Sequence, residues 1–181
     1  MKPLSVFPMS NRESIRGVFT DIDDTLTTDG RLTAEAYSSM EDLQAMGIVV
    51  VPITGRPAGW CDHIARMWPV DGVVGENGAF YFCYDREKQQ MNRRYVDGIE
   101  KRKNNRERLM VLGQTVLNSV PEAAISADQL YRETDLAIDF GEDVPRLPRS
   151  KVDQIVEILE KAGATAKVSS IHVNAWFGTY D

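Results

Sequence analysis

An acidic cluster, Asp21-Ile22-Asp23-Asp24, follows the short apolar run Gly17-Val18-Phe19-Thr20. In open α/β sheets ligands bind at the carboxyl ends of strands, so the cluster falls where a site belongs. Asp21 and Asp23 stand two apart; extended backbone puts them on one face, and at a strand end both reach one ligand. Grouped carboxylates repel one another unless a cation neutralises them, and hard oxygen donors suit Mg²⁺. A carboxylate held by Mg²⁺ can attack phosphorus to give an aspartyl-phosphate, while a second carboxylate protonates the leaving oxygen and then activates water. Taken alone, the same residues also read as a solvated turn, since Asp favours hydrogen bonds to nearby backbone.

A second motif, Thr54-Gly55-Arg56, closes the β-branched run Ile48–Ile53 and opens a helix. A hydroxyl, a glycine that permits close backbone approach and a helix N-terminus together make an anion site. Thr54 by itself is equally an ordinary helix cap. Two such motifs on successive strand ends reinforce one another.

The elements that must position these residues alternate. Gly17–Thr20 reads as a buried strand. Thr33 caps a helix with Ala36, Met40, Leu43 and Met46 on its apolar face, stopped at Gly47. Ile48–Ile53 has the composition of a strand buried on both faces, although Pro52 sits late in it. A helix from Pro57 is expected to bury Trp60, Ile64, Met67 and Trp68, and Gly72–Gly75 is a third strand. Ala79–Tyr84 and Met91–Val96 pair as a hairpin. This βαβαβ order predicts a parallel, doubly wound sheet. From about residue 98 the pattern changes to αββαββ. A charged stretch, Glu100–Arg108, leads into a helix with Leu109, Leu112, Val116 and Val120. Strands follow at 123–126 and 135–140, then a helix capped by Ser150, and strands at 164–168 and 170–176.

With 181 residues and a net charge of −6, the chain has room for one domain carrying an insertion, and its acidic balance disfavours nucleic acid as a partner. Apolar residues at 43% and charged residues at 27% are those of a globular protein. No apolar run approaches the roughly 20 residues of a membrane span. The N-terminal MKPLSVFPMS does not read as a secretory signal, and two isolated cysteines argue against a disulfide framework or a zinc site. A cytoplasmic location is the expectation.

DIDDTL after VFT, then ITGRP and GENGA, resemble the haloacid dehalogenase superfamily of phosphatases, and the αββαββ insertion resembles its subfamily IIB. The resemblance implies a Rossmann-like core, here incomplete, in residues 1–97. It implies an α+β cap in 98–176 and a return to the core beginning at 177–181. It further implies Asp21 as nucleophile, Asp23 as general acid/base, Thr54 as phosphate ligand, and Mg²⁺ held by the Asp21 carboxylate and the Asp23 carbonyl. Two further family motifs, a Lys and an acidic pair, would follow the cap. The sequence has neither there, which reads as a piece of a longer phosphatase, with self-association through the incomplete sheet as a corollary.

The expected substrate is a small phosphorylated metabolite, in particular a sugar phosphate. Gly55 and Arg56 belong to its phosphate site, and Asn77 either holds a left-handed turn or touches the leaving group. Ser170, His172 and Asn174 share one face of the last strand; such a face is solvent-exposed unless a cap sheet turns it towards the site. Arg132 and Asp135 read as a surface ion pair, and His63 as a surface or boundary residue. A non-catalytic phosphate-binding or interaction domain is the alternative function. A receiver-like signalling domain is disfavoured because its phosphorylated Asp ends the third strand, where this chain has Gly75-Glu76-Asn77.

Overall fold

In the computed structural model, which describes residues 6–180, helix α1 (Met9–Arg12) precedes strand β1 (Gly17–Thr20). A small ribbon of β2 (Thr27–Thr28) and β3 (Arg31–Leu32) leads to α2 (Ala34–Ala45), β4 (Val49–Pro52), α3 (Ala58–Met67) and β5 (Val73–Gly75). The hairpin β6 (Phe80–Asp85) and β7 (Gln90–Tyr95) follows, then α4 (Ile99–Ser119) and β8 (Ala124–Ile125). The chain continues through β9 (Leu136–Asp139), α5 (Arg149–Lys161), β10 (Thr165–Val168) and β11 (His172–Trp176). Single-turn 3₁₀ helices occupy Glu76–Gly78 and Ala127–Tyr131.

β1 and β4 pair in parallel, from Gly17 opposite Val49 to Thr20 opposite Pro52, and a parallel bridge from Ile53 to Val74 carries the pairing on to β5. The sheet then turns antiparallel through β5, β6 and β7. The second sheet is antiparallel in the order β10-β11-β9-β8, covered on one face by α4 and α5. Each half has its own apolar cluster: Val50, Ile64, Val73 and Phe82 in the first, Leu109, Leu136, Ile155 and Val173 in the second.

Local sequence explains most boundaries. The Thr33 hydroxyl accepts from the Ala36 amide at 3.2 Å, and Gly47 takes φ +74 just past the end of α2. α5 differs from expectation: Pro148 stands at its N-cap, Ser150 lies inside the helix, and Asp153 pairs with Arg149 at 2.8 Å. Glu100–Arg108 is helical rather than a lead-in, because α4 runs unbroken from Ile99.

The buried face of α3 is also a correction. Trp60 (48% exposed) and Met67 (62%) point outward and Trp68 is half-buried, while Ala58, Cys61, Ile64 and Ala65 face the sheet. Small residues at that spacing let the helix lie close to β5, where a Cβ on Gly75 would collide with Cys61 and Phe80. His63 is exposed, as expected. β1, expected to be buried, and β4, expected to be buried on both faces, cover only one. Val50 is enclosed, but Phe19 (70% exposed), Val49 and Ile53 lie open on the other face, and among the described residues β1 has no partner on its outer edge.

Candidate active site

A cleft of about 760 Å³ lies between the carboxyl ends of β1 and β4 and the sheet of the second half. All the residues given a site role from sequence border it: Asp21, Asp23, Thr54, Gly55, Arg56 and Asn77 from the first half, Ser170, His172 and Asn174 from the second. Ser170 is exposed just before β11, whereas His172 and Asn174 are buried within it. Val173 and Ala175 alternate with them into the apolar cluster, the pattern of a strand between a helical layer and a site.

Asp21 is exposed at the end of β1, and its Oδ1 accepts the Ile22 amide at 2.8 Å. Ile22 is buried, and its carbonyl takes the Thr27 hydroxyl at 3.0 Å; that hydroxyl accepts the Asp24 amide at 3.2 Å. These bonds close the loop around the acidic cluster. Asp23 meets Arg56 in a bidentate pair, Nη2 to Oδ1 at 2.7 Å and Nε to Oδ2 at 3.1 Å. Burial alone would lower the Arg56 guanidinium; the hydrogen bond and charge of Asp23 more than offset it. Arg56 also lies 4.7 Å over the Trp60 ring, which explains why that tryptophan faces outward.

Thr54 is buried, and its hydroxyl accepts the Arg56 amide at 3.0 Å, which leaves its own proton free to donate into the cleft. A Cβ on Gly55 would sit 3.2 Å from Asn77 Oδ1, so the turn needs the glycine for close approach. Asn77 does hold a left-handed turn, at φ +56. The helix N-terminus assigned to an anion from sequence is already partnered: the Ala58 amide donates to Glu76 Oε1 at 2.9 Å.

Two features escaped the sequence. Glu76 is fully buried at φ +44 and receives donors from both halves of the chain. Burial and the Asp135 carboxylate push it up to about 7, against the pull of those donors. Its one signal was a carboxylate standing between two glycines, Gly75 and Gly78, directly after an apolar strand. Arg132 and Asp135 form no surface pair; both are buried. Arg132 Nη1 lies 3.0 Å from both Asp135 carboxylate oxygens, and its Nε and Nη2 bind Asp128 at 2.9 and 3.0 Å. Burial raises Asp135 above the usual carboxylate range; it would raise Asp128 too, but Arg132 holds Asp128 below it. At the mouth, His172 Nε2 lies 2.8 Å from Glu142 Oε2, outside hydrogen-bond alignment.

Among the described residues no three His, Cys, Asp or Glu side chains converge on a metal position. The Asp21 carboxylate and the Asp23 carbonyl are nevertheless hard oxygen donors at one strand end. That suits Mg²⁺, which binds one or two carboxylates and fills its remaining positions with water and phosphate oxygens.

A parallel β-α-β core with an acidic strand end, facing a second α+β unit across a cleft, defines a class that the comparisons identify. Residues 18–113 match the haloacid dehalogenase-like hydrolase family, and the chain belongs to it. The fold is similar to that of a Thermoplasma acidophilum protein, at TM-score 0.66 and 17% identity over 92% of this chain and 66% of that one. It is similar to a haloacid dehalogenase-like hydrolase from Bacteroides thetaiotaomicron, at TM-score 0.64 and 13% identity over 92% and 73%. It is also similar to a sugar phosphatase of subclass IIB of the superfamily, at TM-score 0.56 and 12% identity over 91% and 71%. The chain thus spans about two thirds of the length of the Thermoplasma protein. No curated protein matches the sequence.

Proposed function

We propose that the protein is a Mg²⁺-dependent phosphomonoesterase acting on a small phosphorylated metabolite, a sugar phosphate, through an aspartyl-phosphate at Asp21. The observation that carries this is the convergence on one cleft of Asp21, Asp23, the Thr54 hydroxyl and the polar face of β11. On this view residues 98–176 are the cap over a core formed by the N-terminal part.

An oxygen of the Asp21 carboxylate attacks phosphorus as the bond to the leaving oxygen breaks, and that oxygen takes a proton from Asp23. Water then gives a proton to Asp23 and attacks the same phosphorus, breaking the acyl-phosphate P–O bond and releasing orthophosphate with Asp21 restored. Thr54 donates its hydroxyl proton to a phosphate oxygen, and Arg56 holds Asp23 in line until the phosphate arrives. Mg²⁺, held by the Asp21 carboxylate and the Asp23 carbonyl, would neutralise the charge that otherwise keeps an anionic substrate from an anionic nucleophile. In the cap, Ser170, His172 and Asn174, with Glu142 beside them, offer donors and acceptors in a mixed set suited to sugar hydroxyls.

The size of the cleft and the net charge of −6 favour a small molecule over nucleic acid. Among the described residues no helix is long and apolar enough to cross a membrane. A cytoplasmic metabolite pool would supply such a substrate. A second reading, a phosphate-binding module without turnover, draws on the engagement of Asp23 by Arg56 and on the lack of a three-carboxylate cage among the described residues. Phosphate release from a panel of sugar phosphates with Mg²⁺, by the wild type and by Asp21→Asn, separates them. The hydrolase reading expects release that the variant abolishes; orthophosphate binding with no release from any substrate would favour the module.

A further inference from the structure

The Glu76 carboxylate takes donors from two sides. The Ala58 amide at the start of α3 donates to Oε1 at 2.9 Å. From the facing segment, the Glu133 amide donates to Oε1 at 2.9 Å, the Thr134 amide to Oε2 at 2.6 Å and the Asp135 amide to Oε2 at 3.3 Å; the Thr134 hydroxyl also donates to Oε2. The side chains of Arg132 and Asp135, at the two ends of this segment, both reach residues that line the cleft. Arg132 donates to the Gly55 carbonyl at 3.1 Å, and Asp135 accepts the side-chain amides of Asn77 at 3.3 Å and Asn174 at 3.1 Å.

We infer that Glu76 is a positioning residue: by gripping the backbone of 133–135 against the start of α3, it makes Arg132 hold the Gly55 turn and Asp135 fix the amides of Asn77 and Asn174 for a phosphoryl ligand. The last step rests on the phosphatase reading; the grip itself does not. A non-glycine residue in the left-handed region costs backbone energy, and such strain persists where the surroundings over-determine it. Here a glycine would relieve the strain but lose every one of these bonds. Three successive amides and a hydroxyl would then lack their acceptor in the interior, so the carboxylate is what lets segment 133–135 be buried. Against Asp135 the two asparagines must present their NH₂ groups, because a carboxylate accepts and does not donate. Each NH₂ gives one hydrogen to Asp135 and keeps the other, so that second donor is the end that meets a phosphoryl oxygen, while the carbonyl oxygens suit substrate hydroxyls.

Glu76→Gln tests this, since it keeps the shape but replaces one acceptor oxygen with an amino group. Residue-resolved hydrogen exchange should show amides of Ala58 and of 133–135 opening at least about tenfold faster, the equivalent of one lost charge-assisted bond. Amides of the β6–β7 hairpin should keep wild-type rates, and the side-chain NH₂ resonances of Asn77 and Asn174 should shift. Orthophosphate titrated with Mg²⁺ should bind about tenfold more weakly. Unchanged exchange at 133–135, or uniform acceleration with unshifted asparagine amides and intact phosphate affinity, would overturn the inference. If the wild type binds no orthophosphate, the phosphatase reading fails separately, and the exchange pattern and amide shifts still decide the grip. Should Glu76→Gln not fold, Thr134→Val, which removes only the hydroxyl donor, should show the same pattern at smaller amplitude; no change there overturns the inference as well.

Discussion

Arg132 donates to the carbonyl oxygen of Gly55 across 3.1 Å, so a buried guanidinium from the second half of the chain touches the backbone of the turn between β4 and α3. The same guanidinium is shared between Asp128 and Asp135. Replacing Arg132 with Met should therefore destabilise the protein by about 3–5 kcal/mol, because two carboxylates lose their counter-charge in the interior. Chemical denaturation of the variant checks this; a loss under about 1 kcal/mol, the value of a surface pair, would contradict it.

Asp21→Asn should abolish phosphate release while leaving the thermal transition near that of the wild type, since this side chain is exposed and the Ile22 amide it accepts can equally bond an asparagine oxygen. Asp23→Asn should lower the rate by about 10²–10⁴-fold, the usual contribution of general acid–base catalysis. A rate near wild type in the Asp21 variant would end the phosphoaspartate mechanism.

Glu76 makes stability depend on pH with a definite sign. Its folded pKa, near 7, exceeds the ordinary 4.5, so between those values the folded state keeps a proton that the unfolded chain has released. The contribution is therefore fully present below about pH 4.5 and is lost as pH rises through 7. Asp135, also raised by burial, adds to the same trend. Urea midpoints at pH 5 and pH 8 should fall in that order for the wild type, and Glu76→Gln should flatten the difference.

His172→Ala should reorder kcat/KM among sugar phosphates more than it lowers the melting temperature. The side chain borders the cleft and meets Glu142, whereas the apolar cluster behind it is built from Val173 and Ala175. A lower melting temperature with an unchanged substrate ranking would assign His172 to the scaffold.

The edge of β1, unpaired among the described residues, and the open apolar face of Phe19, Val49 and Ile53 should drive self-association of this 181-residue chain. Sedimentation velocity should show a concentration-dependent rise in mass that Phe19→Lys diminishes. A monomer at all concentrations would rule this out.

Most of the element order, though not α1 or the β2–β3 ribbon, and the residues that border the cleft were legible because both rest on short-range chemistry. The period-2 and period-3.6 patterns located the strands and helices, Thr33 and Gly47 bounded α2, and the two strand-end motifs named the residues bordering the cleft. Side-chain depth was legible for the apolar face of α4, where Leu109, Leu112, Val116 and Val120 are buried, but not for α3 or for the charged residues. Trp60 looked like core, yet it faces out beneath Arg56, while the modest Cys61 and Ala65 lie against the sheet. Arg132 and Asp135 looked like a surface pair because charged residues three apart usually are one. Only the long-range contacts to Gly55, Asn77 and Asn174, dozens of positions away, bury them. Glu76 escaped for the same reason, since its partners lie at Ala58 and at 133–135.

Glu76, Asn77 and Gly78 all take positive φ, at +44, +56 and +95. Three left-handed residues in a row send neighbouring side chains in opposite directions, Glu76 inward to 133–135 and Asn77 towards the cleft. Chain length is consequently fixed at this point. One residue inserted or deleted between Gly75 and Ala79 would exchange the two outlooks, leaving an amide where the carboxylate belongs. The β6–β7 connection at 86–89 also holds a left-handed residue, Gln89 at φ +51, but its residues are exposed, so it should accept loops of several lengths. Among homologues, alignment gaps should therefore gather at the hairpin tip and be missing from the turn after β5.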